Sequence, residues 1–387
     1  MWKLLENSLY YLPLFNNKDE CKKFNNIIMF DLDHCLIKPT KNKKFPLNKS
    51  DWVLLFDNVI TVLNNLIKNN YYVAIISNQS GIEKRKFLLD RISDFLNKSN
   101  VMIDVYVASK NDIFRKPNTK IFEKYIYPKI NENYENLIFV GDAAGRPDDF
   151  SDSDRKFAYN IHLFLKYKQH DTKIKFYTPE EYFKDEFIDD NRSWSGFDPS
   201  NYLKTVDKQT NEYDKLINYI REHVDEQFLI ILIGPPCSGK TYVTNKIIKL
   251  FPNFIEMKGI ISNKNLKKNM DENRSIIINN NNPSKKSREK YVDKLQHDNL
   301  KIIYINMDTF LDKTKNKELY LHINIYKERI NYNNDIQYER IPELVYNIYY
   351  KNYTNPNDDN INAKIFTIKF IPKFKTKLEL LYFLQKS

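Results

Sequence analysis

The sequence predicts an α/β protein with two parallel-sheet domains, and three observations lead to this fold class. Short apolar runs alternate with helix-like segments from residue 26 onward, a pattern typical of parallel sheets covered by helices on both faces. A second series opens near residue 228 with an apolar run, a glycine-containing turn and a helix-like segment. The chain has 387 residues, which is enough for two cores of ordinary size.

The strands of the first predicted sheet come from four apolar runs, with helices expected between them. The strands are placed at 27–30, 72–76, 103–108 and 137–140, and the helices at 57–67, 85–96 and 119–127. The second half is expected to contain strands at 228–233 and 275–278 and a helix at 240–250. Because ligands bind at the carboxyl ends of parallel strands, the polar residues that follow each run are the candidates for a site.

Domain boundaries follow from this series and from a stretch rich in Gly, Pro, Ser and Asn near residues 189–202. We expect an amino-terminal extension at 1–25, a first domain at 26–188, a linker at 189–215 and a second domain at 216–387.

Composition limits the class of protein. Hydrophobic residues make up 42% of the chain, which favours folded cores over disorder, and the apolar runs are too short for the ~20 residues of a membrane span. The opening residues do not resemble a signal peptide. The three cysteines, Cys21, Cys35 and Cys237, show no disulfide or zinc spacing. We therefore expect an intracellular, reducing compartment and a monomeric chain without a membrane partner.

The net charge of +11 and the pI of about 9.1 suit a polyanionic partner such as nucleic acid. AT-rich coding is the alternative explanation, because Asn, Ile, Lys, Tyr and Phe are abundant and only 7 glycines occur. Charge alone does not separate these two interpretations.

The ends of the first-half strands carry the residues of a phosphoryl-transfer site. Asp31 follows the first strand and is placed for in-line attack, while Asp33 faces the same pocket and can protonate the leaving oxygen. Two carboxylates this close imply a cation, and oxygen ligands beside phosphate point to Mg²⁺, with Asp142 as third ligand after Asp31 and Asp33. Ser77 and Lys116 would hold and neutralise the phosphate.

Each of these residues also has an ordinary structural interpretation. A D-x-D after a strand is common, Ser77-Asn78 could cap a helix, and Lys116 could be a solvated charge. The ordered arrangement of all of them at strand ends favours the catalytic interpretation.

The same residues resemble the haloacid dehalogenase superfamily and, within it, the phosphatase half of the polynucleotide kinase 3′-phosphatases. The resemblance covers about residues 26–185 and rests on these motifs: Asp51-Trp52, Ser77–Ile82, Arg115-Lys116-Pro117, Gly141–Pro147 and Asp149–Arg155. It implies a HAD-like (Rossmannoid) fold with Asp31 as nucleophile, Asp33 as acid/base and Asp142 as Mg²⁺ ligand. Ser77, Asn78 and Arg115 are expected to bind phosphate or substrate. His34-Cys35 replaces the family's usual Gly-Thr.

A second phosphate site is predicted downstream. The segment matches the P-loop template at Gly234, Pro235, Pro236, Cys237, Ser238, Gly239, Lys240 and Thr241. Backbone N–H groups would surround the phosphates of ATP, Lys240 would reach the β and γ oxygens, and the Thr241 hydroxyl would meet Mg²⁺. The resemblance to the family continues more weakly here and implies a P-loop polynucleotide kinase.

One departure from the family concerns the kinase base. Gly259 stands near the position where polynucleotide kinases place an aspartate. Possible substitutes are Glu256, Asp271 and Glu272, and the spacing favours none of them. Candidate lid cations are Lys313, Lys315, Lys327 and Arg329.

The leading hypothesis is an enzyme that removes 3′-phosphate and adds 5′-phosphate at nucleic-acid ends, DNA in the first place, so that a ligase can seal them. One alternative is a 3′-phosphatase with a vestigial kinase domain that only binds nucleotide or nucleic acid. A small-molecule phosphatase would not need the P-loop, and a non-catalytic scaffold would not need the Asp31/Asp33 pair.

Overall fold

The structure is a computed structural model. It describes residues 1–13, 22–40, 45–170, 173–186, 192–206, 212–295, 300–359 and 361–387. Cys21 and parts of the predicted linker lie outside these residues. Two compact units are present, and each is built from more than one stretch of chain. The first unit contains Met1–Pro199, Glu328–Ile336 and Thr376–Ser387, and the second contains Ser200–Lys327 and Gln337–Lys375.

A seven-stranded sheet forms the centre of the first unit. Its strands are β1 (Lys3–Glu6), β2 (Leu9–Leu12), β3 (Asn26–Phe30), β6 (Tyr72–Asn78), β7 (Asp104–Ala108), β8 (Asn136–Val140) and β9 (Lys175–Tyr177). Between β3 and β6 in the sequence, β4 (Ile37–Lys38) and β5 (Val53–Leu54) form a separate two-stranded sheet. The order is β1-β2-β7-β6-β3-β8-β9, and all pairs except β1-β2 and β2-β7 are parallel.

Both faces of this sheet are buried, which explains the continuous apolar runs. Along β3, Ile27 and Met29 belong to one apolar cluster, whereas Ile28 and Phe30 belong to the cluster on the other face. The helices covering the sheet include α1 (Val59–Lys68), α2 (Phe87–Ser99), α3 (Ser153–Tyr167) and α4 (Pro179–Lys184). Strand β3 lies between β6 and β8, so the residues that follow these three strands meet at one edge.

The second unit contains a five-stranded parallel sheet. Its strands are β10 (Gln227–Ile233), β11 (Phe254–Met257), β12 (Ser275–Ile278), β13 (Leu300–Asn306) and β14 (Ala363–Thr367), in the order β11-β12-β10-β13-β14. The remaining helices of the chain are α5 (Pro199–Thr205), α6 (Tyr213–Glu222), α7 (Lys240–Leu250), α8 (Asn263–Asp271), α9 (Lys285–Val292), α10 (Lys313–Asn333), α11 (Glu343–Asn352) and α12 (Lys377–Leu384). Helix α12 and the end of α10 belong to the first unit.

The two parallel sheets confirm the predicted α/β class, but three local predictions differ from the structure. The segment predicted as a plain extension forms β1 and β2, which add an antiparallel hairpin to the sheet. The helix predicted at 119–127 is present, but as a π-helix at Phe122–Ile126 followed by a 3₁₀-helix at Tyr127–Lys129, where Pro128 has no N–H to donate. Residues 328–336 and 376–387 group with the first unit rather than the second. No helix in the described part of the chain is long and apolar enough to cross a membrane.

Candidate active site

Three carboxylates meet at the carboxyl edge of the first sheet. Asp31 follows β3, Asp142 follows β8, and Asp154 lies in the first turn of α3. One carboxylate oxygen from each lies within 4.8 Å of the others. Gly141 makes this approach possible, because a Cβ at this position would stand 2.4 Å from Oδ2 of Asp154. The loop after β8 is therefore shaped to bring a third acid to the site.

Lys116 supplies the positive charge of this cluster. Its buried Nζ forms ion pairs with Asp31 and, at 2.8 Å, with Asp154. Burial by itself would lower the pKa of Lys116, but the attraction of Asp154 and Asp31 outweighs it and raises the pKa above its usual value. Lys116 is therefore an ammonium throughout the physiological range and is placed to meet a phosphate that approaches Asp31.

The carboxylates hold more negative charge than one lysine can balance. Burial raises the pKa of Asp31 to about 7, because it and the repulsion from neighbouring acids outweigh the attraction of Lys116. Burial and the negative charges of Asp154 and Asp31 raise the pKa of Asp142 to about 9. A divalent cation would relieve this repulsion, and buried carboxylate oxygens are the donors that Mg²⁺ prefers. The cluster of Asp31, Asp142 and Asp154 thus fits a metal site.

Asp33 lies outside that cluster, which differs from its predicted place among the metal-ligating side chains. Its Oδ1 accepts a 2.7 Å hydrogen bond from Arg91, and its Oδ2 accepts one of 2.5 Å from Gln79. The positive φ of His34 turns the chain directly after Asp33. The Asp33 side chain keeps 29% of its surface exposed, so it remains open to a leaving group or a water, as an acid/base must be.

The three predicted phosphate-binding residues, Ser77, Asn78 and Arg115, make different contacts from one another. Ser77 is buried and its hydroxyl accepts from Gln79 at 2.9 Å. The side-chain amide of Asn78 donates to the carbonyl of Lys116 at 3.1 Å and accepts a hydrogen bond from the N–H of Lys116 at 3.0 Å. Arg115 donates to the hydroxyl of Ser80 at 2.9 Å, on the exposed side of the loop. Asn78 therefore positions Lys116, and Ser77 lies behind the acid/base.

Three residues with clear roles were not predicted from the sequence. Asp154 and Gln79 are in the motifs that carry the family resemblance, so their presence was visible but not their contacts. Arg91 is only 1% exposed, and a cation buried on the inner face of α2 contradicts the apolar pattern expected there. A buried arginine usually pairs with an acid, so this break in the pattern was the available signal.

The second site has the geometry of a phosphate-binding loop. The loop runs from β10 into α7, and Cys237 and Gly239 take positive φ values. Gly234 cannot carry a side chain without displacement of its neighbours, because a Cβ would lie 2.6 Å from Ser238 Oγ. The N–H groups at the start of α7, beside Lys240 and Thr241, form an anion-binding position.

Lys240 lies at the centre of this loop. Its Nζ donates to the carbonyls of Gly234 at 2.8 Å and Pro235 at 2.7 Å. Burial and, to a smaller extent, the charge of Lys327 lower the pKa of Lys240 to about 7, against the opposing effect of Cys237. Nucleotide phosphates would reverse this effect by supplying negative charge.

The structure separates the candidates for the kinase carboxylate. The amide of Asn279, at the end of β12, donates to Glu256 at 2.5 Å and to the Thr241 hydroxyl at 3.2 Å, so Glu256 lies beside the P-loop. Asp271 and Glu272 are exposed at the end of α8. Gly259, with φ +73°, exchanges two backbone hydrogen bonds with the Asn280 side chain. Glu256 is thus the predicted substitute that the geometry favours.

The structure also distinguishes the candidate lid cations from one another. Lys327 lines a cavity of about 660 Å³ beside the P-loop residues Cys237, Ser238 and Gly239. Lys313 donates to the carbonyl of Tyr353 at 2.9 Å. Arg329 is buried in the first unit, where it contacts Asn118, and the prediction that it is a lid arginine is therefore wrong.

Comparison with known proteins gives a consistent result. The family model described as polynucleotide kinase 3 phosphatase matches residues 26–183, which contain all the carboxylates of the first site. A bifunctional polynucleotide phosphatase/kinase of Schizosaccharomyces pombe is 27% identical over 369 residues, covering 92% of this chain and 81% of that protein.

Two viral proteins are also similar. A protein of Acanthamoeba polyphaga mimivirus, named as a bifunctional polynucleotide phosphatase/kinase, is 28% identical over 413 residues, covering 95% of this chain and 90% of its own. An uncharacterised 20.8 kDa protein of Autographa californica nuclear polyhedrosis virus is 33% identical over 194 residues, which are 48% of this chain and 97% of that protein. One of these relatives thus matches about half of this chain.

Proposed function

Because the chain belongs to the polynucleotide kinase 3′-phosphatase family, we propose that its first unit hydrolyses 3′-phosphate ends of nucleic acid and its second unit phosphorylates 5′-hydroxyl ends with ATP. The observation that carries the first activity is the Asp31 carboxylate, which lies at a sheet edge between Lys116 and two further acids. DNA ends are the expected substrate.

Hydrolysis proceeds in two displacements. An oxygen of Asp31 attacks phosphorus, the bond between phosphorus and the 3′ oxygen breaks, and Asp33 gives its proton to that oxygen. Asp33 then takes a proton from water, whose oxygen attacks the aspartyl-phosphate and releases inorganic phosphate and Asp31. Lys116 neutralises the phosphoryl oxygens in both steps.

Metal binding is part of this proposal. Asp31, Asp142 and Asp154 would hold Mg²⁺, which would offset the negative charge of the phosphoryl group during transfer. Arg91 and Gln79 fix the Asp33 carboxyl from two directions, so the acid/base keeps its position between the two displacements.

Phosphorylation in the second unit is supported by the P-loop. Lys240 would exchange its bonds to the Gly234 and Pro235 carbonyls for the β and γ phosphates, and Glu256 would take the proton of the attacking 5′ hydroxyl. The second candidate function is a phosphatase with a vestigial kinase, which the glycine at position 259 favours. Together, the two activities would prepare a strand break for ligation.

The test is a gel assay of the purified chain on a nicked duplex that carries a 3′-phosphate and a 5′-hydroxyl, with Mg²⁺ and ATP. We expect loss of the 3′-phosphate and, more slowly, gain of a 5′-phosphate. Fluoroberyllate should bind Asp31 and block only the loss of the 3′-phosphate. Chelation of Mg²⁺ should also stop the loss of the 3′-phosphate. Full 3′-phosphate release in excess chelator contradicts the metal-dependent scheme, and ATP binding without any 5′ label identifies the kinase as vestigial.

A further inference from the structure

The loop that carries Lys116 is held from one side by its own sheet. Asn78, at the end of β6, binds both the N–H and the carbonyl of Lys116. Its amide fixes the backbone at one residue, and the path of the chain after Lys116 depends on other contacts. Those contacts come from α3 and from the parts of the first unit that follow residue 327 in the sequence.

Arg329 makes the first set of contacts on the other side. Its Nε donates to Oδ1 of Asn118 at 3.0 Å, and the amide of Asn118 donates in turn to the carbonyls of Asp112 and Arg115, at 3.0 and 3.1 Å. The guanidinium also donates to the carbonyls of Tyr382 at 2.9 Å, Gln385 at 3.1 Å and Lys386 at 3.3 Å. One buried arginine thus ties the end of the chain to the loop that carries Lys116.

Asn160 of α3 makes the second set of contacts. Its Nδ2 donates to the carbonyls of Pro117 at 3.0 Å and Lys386 at 2.8 Å, and its Oδ1 accepts from the N–H of Lys386 at 2.7 Å. Gln385 donates to the Thr119 hydroxyl at 3.0 Å. Asn160 and Gln385 are fully buried. The residues on either side of Lys116 and the segment 385–386 therefore share one buried hydrogen-bond network.

We propose that Arg329 and the segment 385–386 are positioning residues for Lys116, so that phosphate hydrolysis depends on residues that follow the P-loop in the sequence. The inference rests on the proposed 3′-phosphatase activity of the first unit. A buried polar group that loses its partner moves to find another, because an unpaired buried donor or acceptor is unfavourable. Backbone atoms of Asp112, Arg115 and Pro117 would then shift, and Lys116 with them.

Catalysis is sensitive to such a shift. A displacement of about 1 Å in a positioned group can cost on the order of 10²-fold in rate. Lys116 contacts both Asp31 and Asp154, so a small movement weakens its interaction with the phosphoryl oxygens without loss of the fold.

The experiment compares Arg329→Lys in the full chain with the wild-type protein. Lysine keeps the charge but cannot reach Asn118 and the three carbonyls together. We expect kcat/KM for 3′-phosphate release to fall about 10- to 100-fold, and the ¹³Cε–¹⁵Nζ NMR signal of Lys116 to move. The matched control is Leu378→Ala, which removes apolar packing from the same terminal segment. It should lower the thermal midpoint and leave kcat/KM below that midpoint within about twofold.

A chain that ends at Gln385 provides the milder second variant. It removes both contacts of Lys386 with Asn160, the bond from Arg329 to the Lys386 carbonyl and the bond from Lys156 to Ser387, and it leaves α12 and the other contacts of Arg329 in place. If either folded variant keeps the wild-type kcat/KM and the Lys116 signal, the inference is wrong. If Leu378→Ala loses as much activity as Arg329→Lys, the segment acts through stability alone and the inference is again wrong. A wild-type chain without 3′-phosphatase activity would instead refute the proposed function.

Discussion

The two candidate sites each centre on a buried lysine, but the groups that contact this lysine differ in charge. Lys116 lies among carboxylates, and its pKa is raised. Lys240 donates to carbonyl oxygens, and burial lowers its pKa to about 7. The first site therefore holds both the proposed nucleophile, Asp31, and the balancing charge of Lys116 in its own side chains. The second holds a cation whose hydrogen-bond partners in the described part of the chain include two backbone carbonyls and no carboxylate.

From this difference we expect the first site to tolerate less change in its side chains than the second. In the proposed mechanism of the first unit the reacting atom belongs to the protein, so each acid has a defined chemical step. In the second unit both reacting groups belong to substrates, and the protein mainly positions them. The following predictions would break or sharpen this contrast.

Asp31→Asn should have the largest effect. It removes the nucleophile, so 3′-phosphate release should fall by on the order of 10³-fold or more, while ATP binding is unchanged. Single-turnover kinetics on the 3′-phosphate duplex measure the rate. Asp148→Asn, which removes an exposed charge from the neighbouring loop, is the control and should stay close to wild type. Near-normal turnover in Asp31→Asn would exclude this residue as the nucleophile.

Glu256→Gln tests whether the second site has its own base. Loss of the carboxylate should slow 5′-phosphate transfer by about 10²-fold with little change in ATP affinity. The exposed Glu272→Gln is the matched control and should have no effect. Gly259→Asp should raise the transfer rate, because a carboxylate enters open space at a φ that aspartate tolerates better than most residues. Equal rates for Glu256→Gln and wild type would assign the base elsewhere.

Lys240→Ala should weaken ATP binding by about 10- to 100-fold, since charge-assisted bonds to the phosphates are lost. Binding by the wild-type chain should also take up protons above pH ~7, because ATP restores the ammonium form of Lys240. Calorimetry in two buffers of different ionisation enthalpy measures this uptake. The alanine variant should show none, and uptake that persists there would assign the protons to another group.

Arg91→Lys should reduce 3′-phosphate release by about 10-fold, because one buried hydrogen bond that orients Asp33 is weakened. Rapid-quench measurement of the aspartyl-phosphate should show that its breakdown slows as well as its formation, since Asp33 serves both steps. Arg85→Lys, on the exposed loop before α2, is the control. A variant with a slowed first step alone would limit the role of Arg91 to phosphate binding.

The smallest effect concerns stability without metal. Asp31 and Asp142 have pKa values of about 7 and 9, above the value of 3.8 for an ordinary aspartate, so the native state holds more protons over this range. Stability in chelator should therefore fall as pH rises from about 5 to 9, by a few degrees in thermal midpoint, and Mg²⁺ should remove the decline. Asp142→Asn should flatten the curve in chelator, and an unchanged slope would assign the protons elsewhere.

The sequence was sufficient for the features that depend on short stretches of chain. Strands β3, β6, β8 and β10 were predicted within a few residues, because runs buried on both faces stand out against their polar ends. The positions of Asp31 and Asp142 directly after two of these strands follow from the same pattern.

Contacts between distant residues could not be obtained in this way. Asp33 was predicted to ligate the metal but accepts hydrogen bonds from Arg91 and Gln79, and these contacts depend on side-chain directions that a sequence does not specify. Arg329 has the charge expected of a lid residue, yet its partner Asn118 lies in the other half of the chain. Glu256 was one of three equal candidates until the register of β11 and β12 placed it beside Asn279.

The division of the chain into units has a consequence for its synthesis. The first unit begins at Met1 but includes Thr376–Ser387, and the second unit lies between these parts in the sequence. A ribosome adds about 5–20 residues per second, so the early strands of the sheet wait tens of seconds for the last helix. During this interval the loop around Lys116 lacks its hydrogen bonds to Arg329 and Gln385, and we expect it to be accessible to chaperones and proteases. Translation speed and chaperone supply should therefore affect the yield of active phosphatase more than that of the nucleotide-binding unit.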